Sequence, residues 1–234
     1  MSGSRLCIIT GVGPGTGAAL ARRFAQGGYT VAMLARTAER LQSLERALKM
    51  ARGFVCDVSD PAAVSATLTE VRRDFGPVSV LIHNAVAGLF GTFRKIDPAA
   101  LERNFQINVM ALLHLARNVA DDMVSAGEGT IITTGNTSAW RGKPGFAGFA
   151  PTKAAQRILL ESIARDLGPK GVHAAYLTID AIIDVPWTRE RWPERPDTFF
   201  IKPDDIAAEV WHIAHQPRSA WSFNVEVRPF GESW

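Results

Sequence analysis

Two features of this 234-residue chain carry chemistry by residue type and position. The first is the stretch Thr10-Gly11-Val12-Gly13-Pro14-Gly15-Thr16-Gly17. It follows a short apolar run, residues 6–10, and opens a segment of helical period, residues 16–26. A glycine-rich turn in that setting lets the chain reverse sharply at Gly11, while Gly15 and Gly17 remove side chains where a diphosphate and the next helix must come close. The N–H groups at the start of that helix then face an anion. Glycines at this spacing also serve plain structural turns, so the turn alone suggests a dinucleotide without establishing one. The second feature is Arg36, directly after the next apolar run. A carboxylate at that edge accepts from a ribose 2′-hydroxyl. A guanidinium instead pairs with a 2′-phosphate through charge-assisted bonds. Arg36 therefore points to NADP(H) over NAD(H), the alternative being a solvated arginine ahead of an N-cap at Thr37.

The elements that must hold these groups alternate along the chain. Short β-branched runs at 6–10, 30–34, 53–56, 78–83, 129–134, 172–178 and 223–227 read as strands. Longer amphipathic segments at 16–26, 37–49, 61–75, 98–125, 149–167 and 204–215 read as helices. Asp60-Pro61 and Asp97-Pro98 each place an N-cap carboxylate before a first-turn proline, and Gly27-Gly28 closes the first helix. This alternation predicts an α/β fold, a Rossmann-type doubly wound parallel sheet of about seven strands with helices on both faces, and one domain over residues 1–234. Residues 186–202, rich in proline, arginine and aromatics, read as an irregular excursion beyond a strand's carboxyl end, where ligands of open α/β sheets bind. It is either a lid or a packing segment.

Composition excludes several classes. Hydrophobic residues make up 47% and charged residues 21%, which is ordinary globular usage. No apolar run has the length of a membrane span, and Met1-Ser2-Gly3-Ser4 has no signal-peptide core, so a cytoplasmic location without membrane contact is expected. The net charge of +3 comes from scattered basic residues, whereas nucleic acid calls for a clustered stripe. Cys7 and Cys56 lie in apolar runs, read as buried free thiols and form no metal pattern.

The Thr-Gly-x-x-x-Gly-x-Gly spacing resembles that of the short-chain dehydrogenase/reductase family, and further landmarks follow in the family's order over about residues 5 to 228. Asp57-Val58 follows the third strand, where the family's aspartate contacts adenine. Asn84-Ala85 follows the fourth, Asn108 lies in the long helix, and Lys153 opens the next one. The resemblance implies a nicotinamide cofactor held by Thr10, Gly11, Gly15, Thr16, Gly17, Arg36, Asp57, Val58, Asn84, Ala85 and Lys153. It also implies hydride transfer to a small carbonyl-type substrate, and pairing of chains through two long helices into a homodimer or homotetramer.

The family's catalytic set is a tyrosine, a lysine four residues later, a serine thirteen residues before the tyrosine, and the helix asparagine, which supports a water relay. Counting from Lys153 gives Phe149 and Asn136, so the set here reads Asn108, Asn136, Phe149 and Lys153. This resembles a divergent subgroup with Phe in place of Tyr. Val185 stands near the family's carboxamide-contacting threonine. Phe149 can neither give nor take a proton, and a positioned general acid is worth about 10²–10⁴-fold in rate. Lys153 or a water is the better substitute acid, ahead of the hydroxyls of Thr134, Thr137, Ser138 and Thr152, while His83 reads as a structural histidine bonded to backbone. Neither Tyr29 nor Tyr176 precedes a lysine by four.

Three readings follow: an NADP(H)-dependent oxidoreductase with altered proton handling, a cofactor-binding pseudoenzyme that senses nucleotide or binds a partner, and an imine reductase-like activity. Trp140, Phe146, Phe149 and the excursion suggest an apolar, aromatic substrate cavity. Arg189, Arg191 and Arg195 either meet an acidic substituent or are solvated. Trp187 and Trp211 read as packed, while Trp221 and Trp234 need cover near the terminus.

Overall fold

Apolar runs of five to eight residues form strands here because both of their faces are covered, which is why they show continuous rather than alternating hydrophobicity. The structure, a computed structural model, describes residues 5–231. The elements run β1 (Leu6–Thr10), α1 (Thr16–Gln26), β2 (Thr30–Ala35), α2 (Ala38–Ala47), β3 (Ala51–Val55), α3 (Pro61–Phe75) and β4 (Val78–His83). They continue with α4 (Pro98–Phe105), a π-helical turn (Gln106–Met110), α5 (Ala111–Ala126), β5 (Gly129–Gly135), α6 (Ala150–Leu167) and β6 (Val172–Ile179). The last are β7 (Ile182–Ile183), α7 (Pro186–Arg191), β8 (Phe200–Ile201), α8 (Pro203–Ala214) and β9 (Asn224–Val227).

Seven strands form one parallel sheet in the order β3-β2-β1-β4-β5-β6-β9. The chain winds outward one way through β2 and β3, then returns past β1 to β4. The strand order therefore reverses between β1 and β4, and their carboxyl ends open a crevice of the kind that holds ligands. One face buries α3, α5 and α6 through residues such as Leu68, Leu115 and Leu160. The other buries α1 and α8 through Leu20, Phe24, Val210 and Ile213.

Local chemistry sets the helix starts. Asp60 accepts from the N–H groups of Ala62 and Ala63, and Asp97 from that of Ala99. Such a cap is worth about 1 kcal/mol. Thr37 precedes α2 but makes no capping bond.

Three expectations are corrected. The long helix expected at 98–125 is present from Pro98 to Ala126, but over Gln106–Met110 it widens from α to π. The excursion at 186–202 is not irregular: it folds into α7, a 3₁₀ turn (Asp197–Phe199) and β8, which pairs with β7. Trp187 is 63% exposed on α7 rather than packed, whereas Trp211 packs edge-on against Phe24 and Tyr29. Trp221 stacks on His173, and Trp234 lies outside the described residues. No described helix is long and apolar enough to cross a membrane. Cys7 and Cys56 are buried and unpaired.

Candidate functional site

The glycine turn sits at the mouth of the β1–β4 crevice. Gly11 has φ +68°, and a Cβ there would fall 2.4 Å from Ala85 Cα, so the turn lies directly on the Asn84-Ala85 backbone. A Cβ on Gly17 would meet Gly11 O and Val12 Cα at 2.7 Å, which keeps α1 tight against the turn. Gly13 opens onto free space, and the Gly15 Cβ position is met by Val185 Cγ1 at 2.8 Å. At the start of α1 no side chain makes a capping bond and the first turn holds no carboxylate. Thr16 Oγ1 is buried there without a hydrogen-bond partner. An uncapped helix start next to an unpartnered hydroxyl suits a diphosphate.

Asn84 ties the crevice together: its Nδ2 donates to Gly11 O at 3.0 Å, and its Oδ1 accepts from Thr134 Oγ1 at 3.0 Å. Thr10 is fully buried behind the turn, where its hydroxyl bonds His83 Nδ1 at 3.0 Å and accepts from Ala85 N–H at 3.3 Å. Burial, then the charge of Lys153, pushes His83 down to about 3. It is thus a neutral structural histidine, bonded to the backbone of Ile107 and Asn108, as expected, and to the Thr10 hydroxyl as well. Arg36 is exposed at the end of β2. It helps hold the exposed Asp57 carboxyl below the usual range, after the larger effect of two bonds from Ser59. The Val58 side chain is buried in the core on the α3 side.

Lys153 and Phe149 lie one turn apart at the start of α6, beside the end of β5. Lys153 is 1% exposed, and burial pushes it down to about 7. Its Nζ donates to Thr134 O at 3.3 Å and to Gln156 Oε1 at 2.5 Å. An ammonium has three N–H donors, so one remains for a ligand. Phe149 is buried, its ring 5.2 Å from that of Phe90, which also meets Phe146 edge-on at 5.2 Å. Asn136 accepts from Ser138 N–H through Oδ1, which fixes the orientation of its amide, and the NH₂ group carries two donors.

Asn108 sits in the π-helical turn. Its amide bonds both the N–H and the carbonyl of Ala87 at 3.0 Å and donates to Thr152 Oγ1 at 2.9 Å, pinning the loop after β4 to α6. Its carbonyl accepts from Gln156 Nε2 at 2.5 Å. Gln156 was not singled out in the sequence. Its signal was an amide three residues beyond Lys153, at a helix position that faces the core.

The excursion is held by Arg189, which makes two bonds to Asp184 and one to Asp197 while lying 4.0 Å over the Phe200 ring. Arg191 lies over Trp192 and Arg195 over Phe199. Arg189 is therefore committed to structure. Trp140 is half exposed, donates to Thr178 Oγ1 and carries Arg157 over its ring. Among the described residues no cluster of three metal-binding side chains occurs.

The short chain dehydrogenase family pattern matches residues 5–194. The chain belongs to this family. D-erythrulose reductase of Gallus gallus is 31% identical over 166 residues, 70% of this chain and 66% of that protein. The 2,3-dihydro-2,3-dihydroxybenzoate dehydrogenase of Bacillus subtilis is 28% identical over 169 residues, 70% of this chain and 64% of that protein. The chain thus spans just under two thirds of both. A metagenomic short-chain oxidoreductase in complex with NADP superposes with a TM-score of 0.86 at 27% identity, covering 98% of this chain and 99% of that one. An NADPH-bound short chain oxidoreductase of Pseudomonas aeruginosa PAO1 with an atypical catalytic center shares the fold, with a TM-score of 0.88 at 23% identity over 97% and 96% of the two chains.

Within this short-chain dehydrogenase, neither tyrosine sits on α6. Tyr29 bonds His215 on the far side of the molecule from the crevice. Tyr176 is fully buried on β6, its hydroxyl wedged where a Cβ on Gly135 would stand, 2.0 Å away, and burial raises its pKa.

Proposed function

We propose that this short-chain dehydrogenase acts as one domain that binds NADP(H) and reduces a small apolar carbonyl compound, with Lys153 in place of the usual phenol as the proton donor. The observation that carries this reading is the burial of Lys153 beside Phe149, with a pKa near 7 and one N–H unclaimed. General acids work best with a pKa near the operating pH. The unpartnered Thr16 hydroxyl and uncapped start of α1 suit the diphosphate, Asn84 stiffens the crevice, Asp57 stands at the adenine edge and Arg36 would meet the 2′-phosphate.

A bound NADPH supplies a hydride, which goes to the carbonyl carbon. The Lys153 ammonium gives its proton to the oxygen, yielding the alcohol. The neutral amine then takes a proton back from water. Asn136 polarises the carbonyl through its amide N–H groups. Phe149, Phe90 and Phe146 form an apolar wall that favours a substrate with an aromatic or aliphatic body. Exposed Ile158 on α6 is consistent with pairing of chains along α5 and α6.

The test is NADPH titration by fluorescence together with turnover of a panel of small aryl ketones. Wild type should bind and turn over, and Lys153→Met should bind but lose turnover. Binding without turnover of any ketone or imine in the wild type would favour a nucleotide-sensing role, and turnover of imines alone would place the proton on the substrate.

A further inference from the structure

We propose that Gln156 is a positioning residue that fixes the Lys153 ammonium against the Asn108 carbonyl and closes the inner side of the site to protons. Three groups form one buried line. Lys153 Nζ donates to Gln156 Oε1, and Gln156 Nε2 donates to Asn108 O. Gln156 and Asn108 are 0% exposed and Lys153 is 1% exposed. The π-helical turn at Gln106–Met110 disturbs the regular helix ladder at Asn108. The glutamine amide reaches across from α6 to take up that carbonyl and, with its other end, holds the lysine.

An amide suits this position and a hydroxyl or water does not. Its carbonyl accepts from the ammonium without adding charge, so the lysine keeps an acceptor and gains no ion pair. Its NH₂ has only a carbonyl beyond it. A proton leaving Nζ by this route would have to protonate an amide oxygen, then leave from the amide nitrogen toward an oxygen that keeps no proton. A water would accept and release a proton in a single step. Beyond Asn108 O the line meets only the His83 ring, which bonds the Asn108 backbone and carries no charge above about pH 3, so Lys153 exchanges protons through its one unclaimed N–H. The elements packed around Nζ present Thr134 from β5, Asn108 from the turn before α5, and His83 from β4. Only His83 titrates, and it is neutral above about pH 3.

The inference rests on the reading of Lys153 as proton donor only for its catalytic consequence. Its test uses ligand-free protein labelled at lysine, with ¹³Cε shifts reporting the Lys153 titration and ¹⁵Nζ–H signals reporting proton exchange. Removing one of the two acceptors of the ammonium in Gln156→Leu should lower the Lys153 pKa by about one to two units, since bonds to a charged group are worth about that much. A carboxylate in Gln156→Glu should raise it above the wild-type value. In Gln156→Ser, which makes room for water, exchange of the Nζ protons at pH 6 should quicken at least tenfold. A purely structural glutamine predicts lower melting temperatures with the lysine titration and exchange unmoved. That result in the variants that fold overturns the proposal, and Gln156→Glu carries the test if the smaller side chains fail to fold. If the titration moves as expected while Lys153→Met still reduces ketones, the positioning role stands and the proposed chemistry falls.

Discussion

Burying a lysine without a carboxylate has a measurable cost, and Lys153→Met should reveal it as a pH-dependent gain in stability. The unfolded lysine holds its proton up to its ordinary 10.5, whereas the folded one releases it near 7. Between these values the unfolded state binds more protons, so wild-type stability climbs with pH. Below pH 7 the penalty is complete, at about 5 kcal/mol, because one pKa unit corresponds to about 1.4 kcal/mol. Integrating the linkage relation gives a penalty of about 4 kcal/mol at pH 7 and about 1.4 kcal/mol at pH 9.5. Wild type should therefore gain about 3 kcal/mol on Lys153→Met between these two pH values. Lost hydrogen bonds to Thr134 and Gln156 offset the two curves by a constant, and the other titrating groups are common to both proteins and cancel. Urea unfolding at pH 6, 7, 8 and 9.5 without nucleotide measures the difference. A difference that stays flat to within about 0.5 kcal/mol would refute the argument, because the lysine would then titrate alike in both states.

Arg36→Asp should weaken NADPH binding by about 10- to 100-fold, the worth of a charge-assisted contact, with little change for NADH; equal losses in a fluorescence titration would sink the 2′-phosphate assignment. Phe149→Tyr combined with Asn136→Ser should raise ketone reduction by about 10²–10⁴-fold, measured as kcat/KM. No gain would mean that the missing hydroxyls are not what limits the site. Gly17→Ala forces a methyl onto the Gly11 and Val12 backbone, so it should cost about 1–3 kcal/mol in unfolding free energy and loosen NADPH binding as well. Unchanged stability would mean that α1 can shift freely off the turn.

Much of the fold was legible because each strand is short, apolar and bracketed by turn chemistry. Leu6–Thr10, Pro61–Phe75 and Val78–His83 match the expected limits residue for residue, and two of them adjoin an explicit signal, the glycine turn or Asp60-Pro61. The π-helical turn was hidden because inserting one residue there keeps Leu112, Leu115 and Val119 on the buried side of α5. The excursion looked irregular because its prolines break periodicity, yet Arg189 gathers Asp184 and Asp197 across it, a pairing that no local pattern announces. In the site, the glycines and Asn84 were legible from spacing and order. Gln156 was not, because its meaning depends on a carbonyl 48 positions away. The near-neutral lysine was equally hidden, since burial is a property of the packed chain.

The contact between Gly135 and Tyr176 constrains how such a sequence can change over time. Any residue larger than glycine at 135 collides with the phenol ring, whereas a smaller residue at 176 leaves a cavity that costs about 3–5 kcal/mol but no collision. The two positions can be exchanged in one order only: the ring must shrink before a side chain arrives at 135. A lineage or laboratory library that samples single substitutions at 135 would therefore find that position closed, though it adjoins Asn136 and is open to paired changes. The packing between the ends of β5 and β6 is thus historically contingent, and descendants that alter it should carry a substitution at 176 as the older of the two.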